Sequence, residues 1–282
     1  DPVRGVLGVD ADQGRVDRIR HELGLDRPLA EQYARWISNA ARGQFGKSIR
    51  NRDDIAETIK VRFPITFRLG LSALLVSAAI GIPMGVISAV RRGSLLDSIV
   101  TLLANMGAAV PVFWLGLAGI YLFGLQLGWL PIQGYTSPFE DFWLSIRQSV
   151  MPVLLLAVGP VSSLTRQSRS SMLEVIRQDY IRTAKAKGMT QWSIITGHAL
   201  KNAIIPVVTL LGLQVRNLAG GAVLVEMVFN IPGMGRLMVE GVLARDFPVV
   251  QGCVVVVALT VALANLAVDL SYGYIDPRIR LD

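Results

Sequence analysis

The sequence predicts an all-α bundle of membrane-spanning helices. Of its 282 residues, 52% are hydrophobic, and the mean hydropathy of +0.47 is higher than a soluble domain normally has. The apolar residues fall into runs long enough to cross a bilayer, and the loops between these runs alternate between basic and neutral or acidic. Together these three observations predict a polytopic membrane protein.

Five apolar runs account for the predicted spans. A spanning helix needs about 20 mostly apolar residues, whereas buried core helices are usually shorter. Four of the five runs carry no charge, and the third run along the chain is shorter than the others. The fourth run carries one charged residue, Arg216. We therefore predict spans at about residues 67–90, 99–123, 148–168, 204–225 and 249–270.

Several predicted spans contain proline or paired glycine, which normally break helices. In a bilayer such breaks persist where neighbouring helices satisfy the freed backbone groups. The residues concerned are Pro83, Pro111, Pro152, Pro160, Gly220 and Gly221. They favour a packed bundle over isolated anchoring helices.

The formal net charge of +7 is concentrated between the third and fourth predicted spans. Seven basic residues there face only two acidic ones, Glu174 and Asp179. The basic residues are Arg166, Arg169, Arg177, Arg182, Lys185, Lys187 and Lys201. Because cytoplasmic loops carry an excess of Lys and Arg, this pattern places loop 166–203 and the C terminus in the cytoplasm. Membrane topology thus explains the basic charge, and nucleic acid is not a predicted partner.

Residues 1–66 are then expected outside, as an extracytoplasmic segment with short helices, and residues 67–282 as the transmembrane domain. The first segment is mixed in charge and has no bilayer-length apolar run. No signal peptide or span precedes it that would carry it across the membrane. A further N-terminal span is therefore expected, giving six in the full protein.

The stretch ARGQFGKSIR, residues 41–50, contains the glycine-lysine-serine end of a phosphate-binding loop. Such a loop needs another glycine five residues before Gly46, where this chain has Ala41. The preceding residues Tyr33, Trp36 and Ile37 have helical spacing, although a P-loop follows a strand. We therefore predict no nucleotide site in this stretch.

The sequence predicts no catalytic, cofactor-binding or metal-binding residues. Cys253 is the one cysteine of the chain, so no internal disulfide can form. His21 and His198 are predicted on opposite sides of the membrane and cannot share a metal or an acid–base site. The chain is predicted not to be an enzyme.

The cytoplasmic loop reads RQDYIRTAKAKGMTQWSIITGHALKNAIIPVV, residues 177–208. Apolar residues at helical spacing are interrupted by Gly188, which predicts a short helix, a glycine turn and a second helix entering the next span. From the residues alone, one interpretation is a basic amphipathic element lying on the anionic inner leaflet.

In this loop the sequence resembles the membrane subunits of ABC importers, specifically the B-type permease of dipeptide and oligopeptide systems. Arg182, Thr183 and Ala184 stand where the general family motif has Glu-Ala-Ala, and Gly188 follows at the family's spacing. The versions YIRTAKAKG and HALKNAIIP are typical of the peptide subgroup. RHELGLDRPLAEQYARW, VFNIPGMGRLMVEGVLARDFPVVQG and DPRIRLD extend the resemblance over nearly the whole chain.

The resemblance implies a type I ABC importer permease fold and a coupling helix that docks into an ATPase subunit. The coupling residues would be Arg182, Thr183, Ala184, Lys185, Ala186, Lys187, Gly188 and Met189. Ala184, Ala186 and Gly188 would supply a small-residue face and a sharp turn, and the basic residues would pair with acidic groups on the ATPase.

The resemblance also implies partners and a location in the bacterial inner membrane. The partners would be a second homologous permease, two ABC ATPase subunits that hold ATP and Mg²⁺, and an extracytoplasmic substrate-binding protein. The solute would be a di- or oligopeptide, and nickel complexes, glutathione or other small solutes are alternatives within the family. A stand-alone secondary transporter is the rival from another class, but it would predict internal repeats and paired midplane charges.

Arg216 is the residue that stands out on physical grounds, because a charge in mid-span is costly and normally faces a cavity or a partner. Gln214 and Asn217 are its polar neighbours. We predict that these three residues line the translocation path, where the guanidinium would attract the carboxylate of a peptide. A carboxylate or carbonyl on another helix is the alternative partner.

Overall fold

The computed structural model describes residues 12–22 and 24–275, and this part of the chain is built from helices joined by turns. An isolated β-bridge joins Lys47 and Asp54. The prediction of an all-α protein is therefore confirmed for the described residues.

The helices are numbered here in chain order. They are α1 Gln13–Glu22, α2 Leu29–Ala41, α3 Ile55–Val90, α4 Leu95–Ala109, α5 Val112–Gly119, α6 Phe142–Val175, α7 Asp179–Ala186, α8 Leu200–Val228, α9 Met234–Leu243 and α10 Phe247–Ile275. Two π-helical segments extend this series, Ile120–Gln126 after α5 and Ile194–Ala199 before α8. A single helical turn, Gln191–Ser193, precedes the second of them.

Four helices of the described part are long and apolar enough to cross a membrane. They are Ile55–Val90, Phe142–Val175, Gln191–Gln214 and Phe247–Val268. A fifth span results if Leu95–Ala109 and Val112–Gln126 are counted as one, although they are bent by 102°. The structure thus contains the five predicted apolar segments, but the second of them is not straight.

The bend in the second segment has a local cause. Val110 precedes Pro111 and has an extended backbone, with φ −83° and ψ 130°. The proline ring excludes the helical conformation from the residue before it, so α4 ends there and α5 starts in a new direction. The proline was noted in the sequence, but its bend of 102° was not predicted.

The chain divides into two compact units, residues 1–67 with 232–259, and residues 68–231 with 260–282. This division passes through α3 and α10, so it does not follow the predicted boundary at residue 66. That boundary was defined by position relative to the membrane, and it stays a prediction.

The core of the first unit is formed where the start of α3 packs against α9 and the start of α10. Its buried residues are Ile55, Ile59, Met234, Leu237, Val249 and Cys253. Burial of these side chains supplies the main stabilisation of the unit. Thr66 adds a cap, because its Oγ1 accepts a hydrogen bond from the backbone N–H of Met234 at 2.8 Å, at the start of α9.

The glycine-lysine-serine stretch is a structural turn of this unit. Gly46 has a φ of +82°, and the Ser48 hydroxyl donates a hydrogen bond to the Asp246 carboxylate. The same carboxylate accepts the backbone N–H groups of Ile49 at 3.3 Å and Arg50 at 3.4 Å. Asp246 is 3% exposed, so these bonds satisfy a buried charge.

Replacing Asp246 by alanine is expected to lower the free energy of unfolding by about 1–3 kcal/mol, because the Ser48 hydroxyl and two backbone N–H groups lose their acceptor. Thermal unfolding in detergent measures the change. Glu240→Ala is the matched control, since Glu240 forms an exposed pair with Arg236 and its loss should cost under about 1 kcal/mol. Equal effects of the two substitutions would contradict a structural role for Asp246.

In the second unit, α3 and α6 approach each other at Gly81 and Gly85. A Cβ atom added to Gly85 would lie 2.6 Å from the Cβ of Ser168 and 2.9 Å from the backbone nitrogen of Arg169. One added to Gly81 would lie 2.9 Å from the Cβ of Leu164. Glycines four residues apart allow two helix backbones to come together without hydrophobic driving force, as the membrane requires.

Candidate functional site

The candidate site begins at α7, the short helix of the basic loop. It runs from Asp179 to Ala186, and Gly188 follows in the left-handed conformation with a φ of +78°. Glycine adopts this conformation without the steric cost that other residues incur. The helix and glycine turn predicted from the sequence are therefore present.

One face of α7 is buried against the chain itself. Ile181 and Ala184 lie in a core cluster that α3, α6 and the segment before α8 complete. The other buried members are Ala89, Met172, Ile194, Ala199 and Ala203. Ala184 is 7% exposed, so its methyl group packs inward and is not part of an outer small-residue face.

The other face of α7 is exposed and basic. Of the predicted coupling residues, those that point outward are Arg182, Thr183, Lys185, Ala186, Lys187 and Gly188, whereas Met189 is half-buried. Arg182 has one local ion pair, with Asp179 at 3.6 Å, and both side chains are largely exposed. We call this set the outer face of α7; its outward-facing small residues are Ala186 and Gly188.

One polar contact ties α7 to the rest of the chain, and a second lies within the helix. The Tyr180 hydroxyl accepts a hydrogen bond from the side-chain amide of Asn202 at 2.8 Å, which ties α7 to α8. The Thr183 hydroxyl donates to the backbone carbonyl of Asp179 at 3.1 Å. With its apolar face packed and its start tied to α8, α7 presents its outer face in a defined orientation.

A buried ion pair lies beside the core cluster against which α7 packs. Asp97, in the first turn of α4, accepts two hydrogen bonds from the Arg169 guanidinium of α6, at 2.8 and 3.0 Å. It also accepts the Ser88 hydroxyl and, at 3.0 Å, the backbone N–H of Gly93. The Asp97 side chain is 8% exposed and that of Arg169 is 30% exposed. This network joins α3, α4 and α6 next to Ala89, which belongs to the core cluster under α7.

The sequence reasoning missed this network, because it counted Arg169 only among the basic residues of the loop. One part of this network has a signal in the sequence, the start of α4 at Ser94. Ser94 caps α4 by accepting a hydrogen bond from the backbone N–H of Asp97. A serine followed three residues later by an acidic residue is typical of a helix start. The partnership with Arg169, 72 residues away, had no signal in a single sequence.

Comparison with known proteins decides the family. Residues 81–281 match the family described as binding-protein-dependent transport system inner membrane component, and residues 1–70 match the N-terminal part of such membrane components. The first match covers more than half of the chain. The chain belongs to this family.

Relatives agree with this assignment. The permease is 39% identical, over 99% of its chain and 90% of the relative, to the di/tripeptide transport system permease protein DppB of Pseudomonas aeruginosa strain UCBPP-PA14. It is 40% identical, over 100% of its chain and 90% of the relative, to a putative peptide permease protein of Brucella suis biovar 1 strain 1330. The resemblance to B-type peptide permeases is therefore confirmed.

Solved structures support the predicted fold. The permease matches a chain of the inward-facing MetNI methionine ABC transporter with a TM-score of 0.64 and 20% identity, over 77% of this chain and 96% of that chain. It matches an amino acid ABC transporter crystallised with histidines with a TM-score of 0.54 and 16% identity, over 79% and 94%. These likenesses concern the fold. They confirm the prediction of an ABC importer permease bundle.

The description of the family also bears on the general activity and the location of the protein. Its members are described as inner membrane components of transport systems that depend on a binding protein. The permease is thus a transport component of the inner membrane with several spanning helices.

The predicted path residues lie in α8, but only one of them can be described. Gln214 is 5% exposed and therefore faces the interior of the second unit. The side chains of Arg216 and Asn217 lie outside the described residues. Their assignment to the translocation path stays a prediction.

Proposed function

We propose that the permease imports di- or oligopeptides across the bacterial inner membrane and forms half of the translocation path. The names of its relatives support the solute class, since a di/tripeptide permease and a peptide permease match over nearly the whole chain. A second homologous permease would supply the other half, and an extracytoplasmic binding protein would deliver the peptide. Two cytoplasmic ATPase subunits would hold ATP and Mg²⁺.

The orientation follows from the charge pattern. Residues 1–66 would lie outside, and loop 166–203 with the C terminus would lie in the cytoplasm, since short cytoplasmic loops carry the excess of Lys and Arg. This orientation would put α7 on the side of the membrane where ATP is available.

The proposed coupling role rests on one observation: the apolar face of α7 is buried and its basic face is exposed. A helix lying on a lipid surface buries its apolar face among the acyl chains. In this permease the apolar face, Ile181 and Ala184, is already packed against the chain's own core. What remains outside is polar and basic, so the outer face suits an acidic groove on a protein better than the inner leaflet.

ATP-driven motion would reach the bundle through the same packing. Closure of the ATPase dimer on ATP would pull α7, and Ile181 and Ala184 would transmit the pull to α3 and α6 through their shared core. Because a packed core moves as a rigid body, the displacement would rock the spans between outward- and inward-open states.

Uptake into proteoliposomes tests this function. The permease, assembled with its companion permease, ATPase subunits and binding protein, is expected to accumulate a labelled dipeptide with ATP and Mg²⁺ but not with a non-hydrolysable ATP analogue. An excess of unlabelled dipeptide should abolish the uptake, and an excess of nickel ions or glutathione should not. ATP-independent uptake would favour a stand-alone transporter, and competition by nickel or glutathione would favour that solute.

A further inference from the structure

Helix α2, Leu29–Ala41, has an apolar face that the first unit does not cover. At about 100° per residue its apolar side chains fall on one side of the helix: Leu29, Tyr33, Trp36, Ile37 and Ala40. None of the residues of α2 is buried, and Leu29 is 82% exposed, Tyr33 65% and Ile37 45%. An amphipathic helix is stabilised mainly by burial of its apolar face, so this face is expected to have a partner beyond the described residues.

The opposite side of α2 is polar, and its surroundings are basic. Glu31 lies on this side and pairs with Arg27 at 2.7 Å and with Arg35 at 3.1 Å. Over residues 29–50, Glu31 is the one acidic residue, and the four basic residues are all exposed: Arg35, Arg42, Lys47 and Arg50. A helix with Trp, Tyr and Leu on one face and an excess of Lys and Arg around the other has the composition of helices that lie on an anionic membrane surface.

The chain that follows α2 holds this helix close to the bilayer. Gly43 ends the helix in the left-handed conformation, with a φ of +76°. Phe45 then packs against the start of α10, where a Cβ added to Gly252 would lie 3.4 Å from the Cβ of Phe45. Gly252 is the fourth residue of predicted span 249–270. Because Phe45 is four residues beyond Ala41, at most about 14 Å separates it from the last residue of α2. The helix therefore lies next to the end of a membrane span.

We propose that α2 lies in the plane of the membrane on the outer leaflet, with its apolar face between the headgroups and the acyl chains and its basic residues on lipid phosphates. Tyr33 and Trp36, whose ring centroids are 6.4 Å apart, are of the residue types enriched at this depth. Lipid is favoured over a protein partner because the tether at Phe45 keeps the face at the bilayer and because the exposed charges around it are basic. The choice of leaflet rests on the orientation in the proposed function, whereas the contact with lipid does not.

Spin labels on the two sides of α2 test the contact. Tyr33→Cys places a label on the apolar face, and Ser38→Cys places one on an exposed position about 140° away around the helix. The full permease is reconstituted in nanodiscs that contain phosphatidylglycerol. The label at residue 33 is expected to collide several-fold more often with O2, which concentrates in lipid, than with nickel ethylenediaminediacetate, which stays in water. The label at residue 38 should show the reverse ratio, and the parent protein gives the background because Cys253 is buried.

The role of the basic residues is tested through the charge of the lipid. Replacing phosphatidylglycerol by phosphatidylcholine should raise the collisions of the nickel complex with the label at residue 33 several-fold. Arg35→Gln combined with Arg42→Gln should have the same effect in the anionic nanodiscs. The matched control is Arg91→Gln combined with Arg92→Gln, which removes two exposed cations from the turn after α3 and should leave the collisions unchanged. Collisions that depend neither on lipid charge nor on Arg35 and Arg42 would overturn the contact with lipid phosphates.

The other possible partners of the face give different results. Frequent collisions of the nickel complex with both labels would place the apolar face in water and overturn the proposal. Few collisions of either reagent with the label at residue 33 would mean that protein covers the face, which also overturns it. If this protection appeared only after the binding protein was added, the binding protein would be the partner.

Failure of the proposed function is measured separately. A transporter that takes up no peptide would overturn the proposed function and leave the collision ratios, and with them the contact with lipid, as they are. The side of the membrane is tested with Ser38→Cys and a membrane-impermeant thiol reagent, which should modify it in right-side-out vesicles. Modification in inverted vesicles alone would overturn the proposed orientation and with it the assignment of α2 to the outer leaflet.

Discussion

Reversing the charges of Lys185 and Lys187 together is expected to abolish co-purification of the ATPase subunits with the permease. Both side chains belong to the outer face of α7 and are exposed. Two glutamates there would stand opposite the acidic groups of the proposed ATPase groove, and like charges brought together at an interface cost several kcal/mol. Association should weaken about 100-fold or more, measured by affinity purification from detergent extracts.

The matched control is Arg92→Glu, an exposed cation in the turn between α3 and α4 that lies outside α7. It changes the charge of a neighbouring turn but should leave ATPase association within about threefold of the unmodified level. Peptide uptake and peptide-stimulated ATP hydrolysis should be lost with the double reversal and kept with the control. Full ATPase recovery with the double reversal would contradict the assignment of α7 as the coupling helix.

Gly188 would be a poorer site for this experiment. A Cβ added to it would meet nothing within 4 Å, so there is space for a side chain. Its φ of +78°, however, strains any L-residue that replaces it. A bulky charged residue at Gly188 would therefore disturb the turn and the docking surface at once. Substitutions of Lys185 and Lys187 change the charge of the surface and leave the backbone conformation as it is.

Much of the fold could be predicted because it depends on local patterns. Bilayer-length apolar runs give the spanning segments, and the excess of basic residues identifies the loop that contains α7. The position of Gly188 after a run with helical spacing gave both the helix and its turn. In each case the determining residues are neighbours in the chain, so a single sequence contains the signal.

What the sequence could not show depends on residues that are far apart in it. The resemblance implies that Ala184 lies on the face that contacts the ATPase, where a small residue would allow a close approach. Only the cluster around it shows that this methyl group packs inward. The bonds of Asp246 to the turn at Ser48 and of Asp97 to Arg169 join residues 198 and 72 positions apart, and no periodicity marks such pairs.

Replacing Asp97 by alanine is expected to destabilise the permease by about 2–3 kcal/mol. The substitution leaves the Arg169 guanidinium without its partner, together with the Ser88 hydroxyl and the Gly93 N–H. Breaking a fully buried pair costs about 3–5 kcal/mol. The smaller value is expected here because the Arg169 side chain is 30% exposed, so its charge is only partly buried after the substitution. Thermal unfolding in detergent measures the loss.

A second variant separates the ion pair from general damage. Asp97→Ala combined with Arg169→Met removes both charges and should recover part of the lost stability, because no uncompensated charge remains inside. Asp179→Ala, which breaks the exposed pair with Arg182, should stay within about 0.5 kcal/mol of the unmodified protein. The loss of stability in the double variant is compared with the summed losses of Asp97→Ala and Arg169→Met measured singly. If the double variant lost more than this sum, the pair would not be the stabilising feature.

The consequence for transport follows from where Asp97 lies. Its partner Ser88 precedes Ala89 on α3, and Ala89 packs in the same core as Ile181 and Ala184 of α7. Loosening the joint between α3, α4 and α6 should therefore let α7 move without moving the spans. We expect Asp97→Ala to keep the ATPase subunits bound but to lower peptide uptake per ATP hydrolysed several-fold. Loss of ATPase binding together with uptake would instead mean that this network holds the docking surface itself in shape.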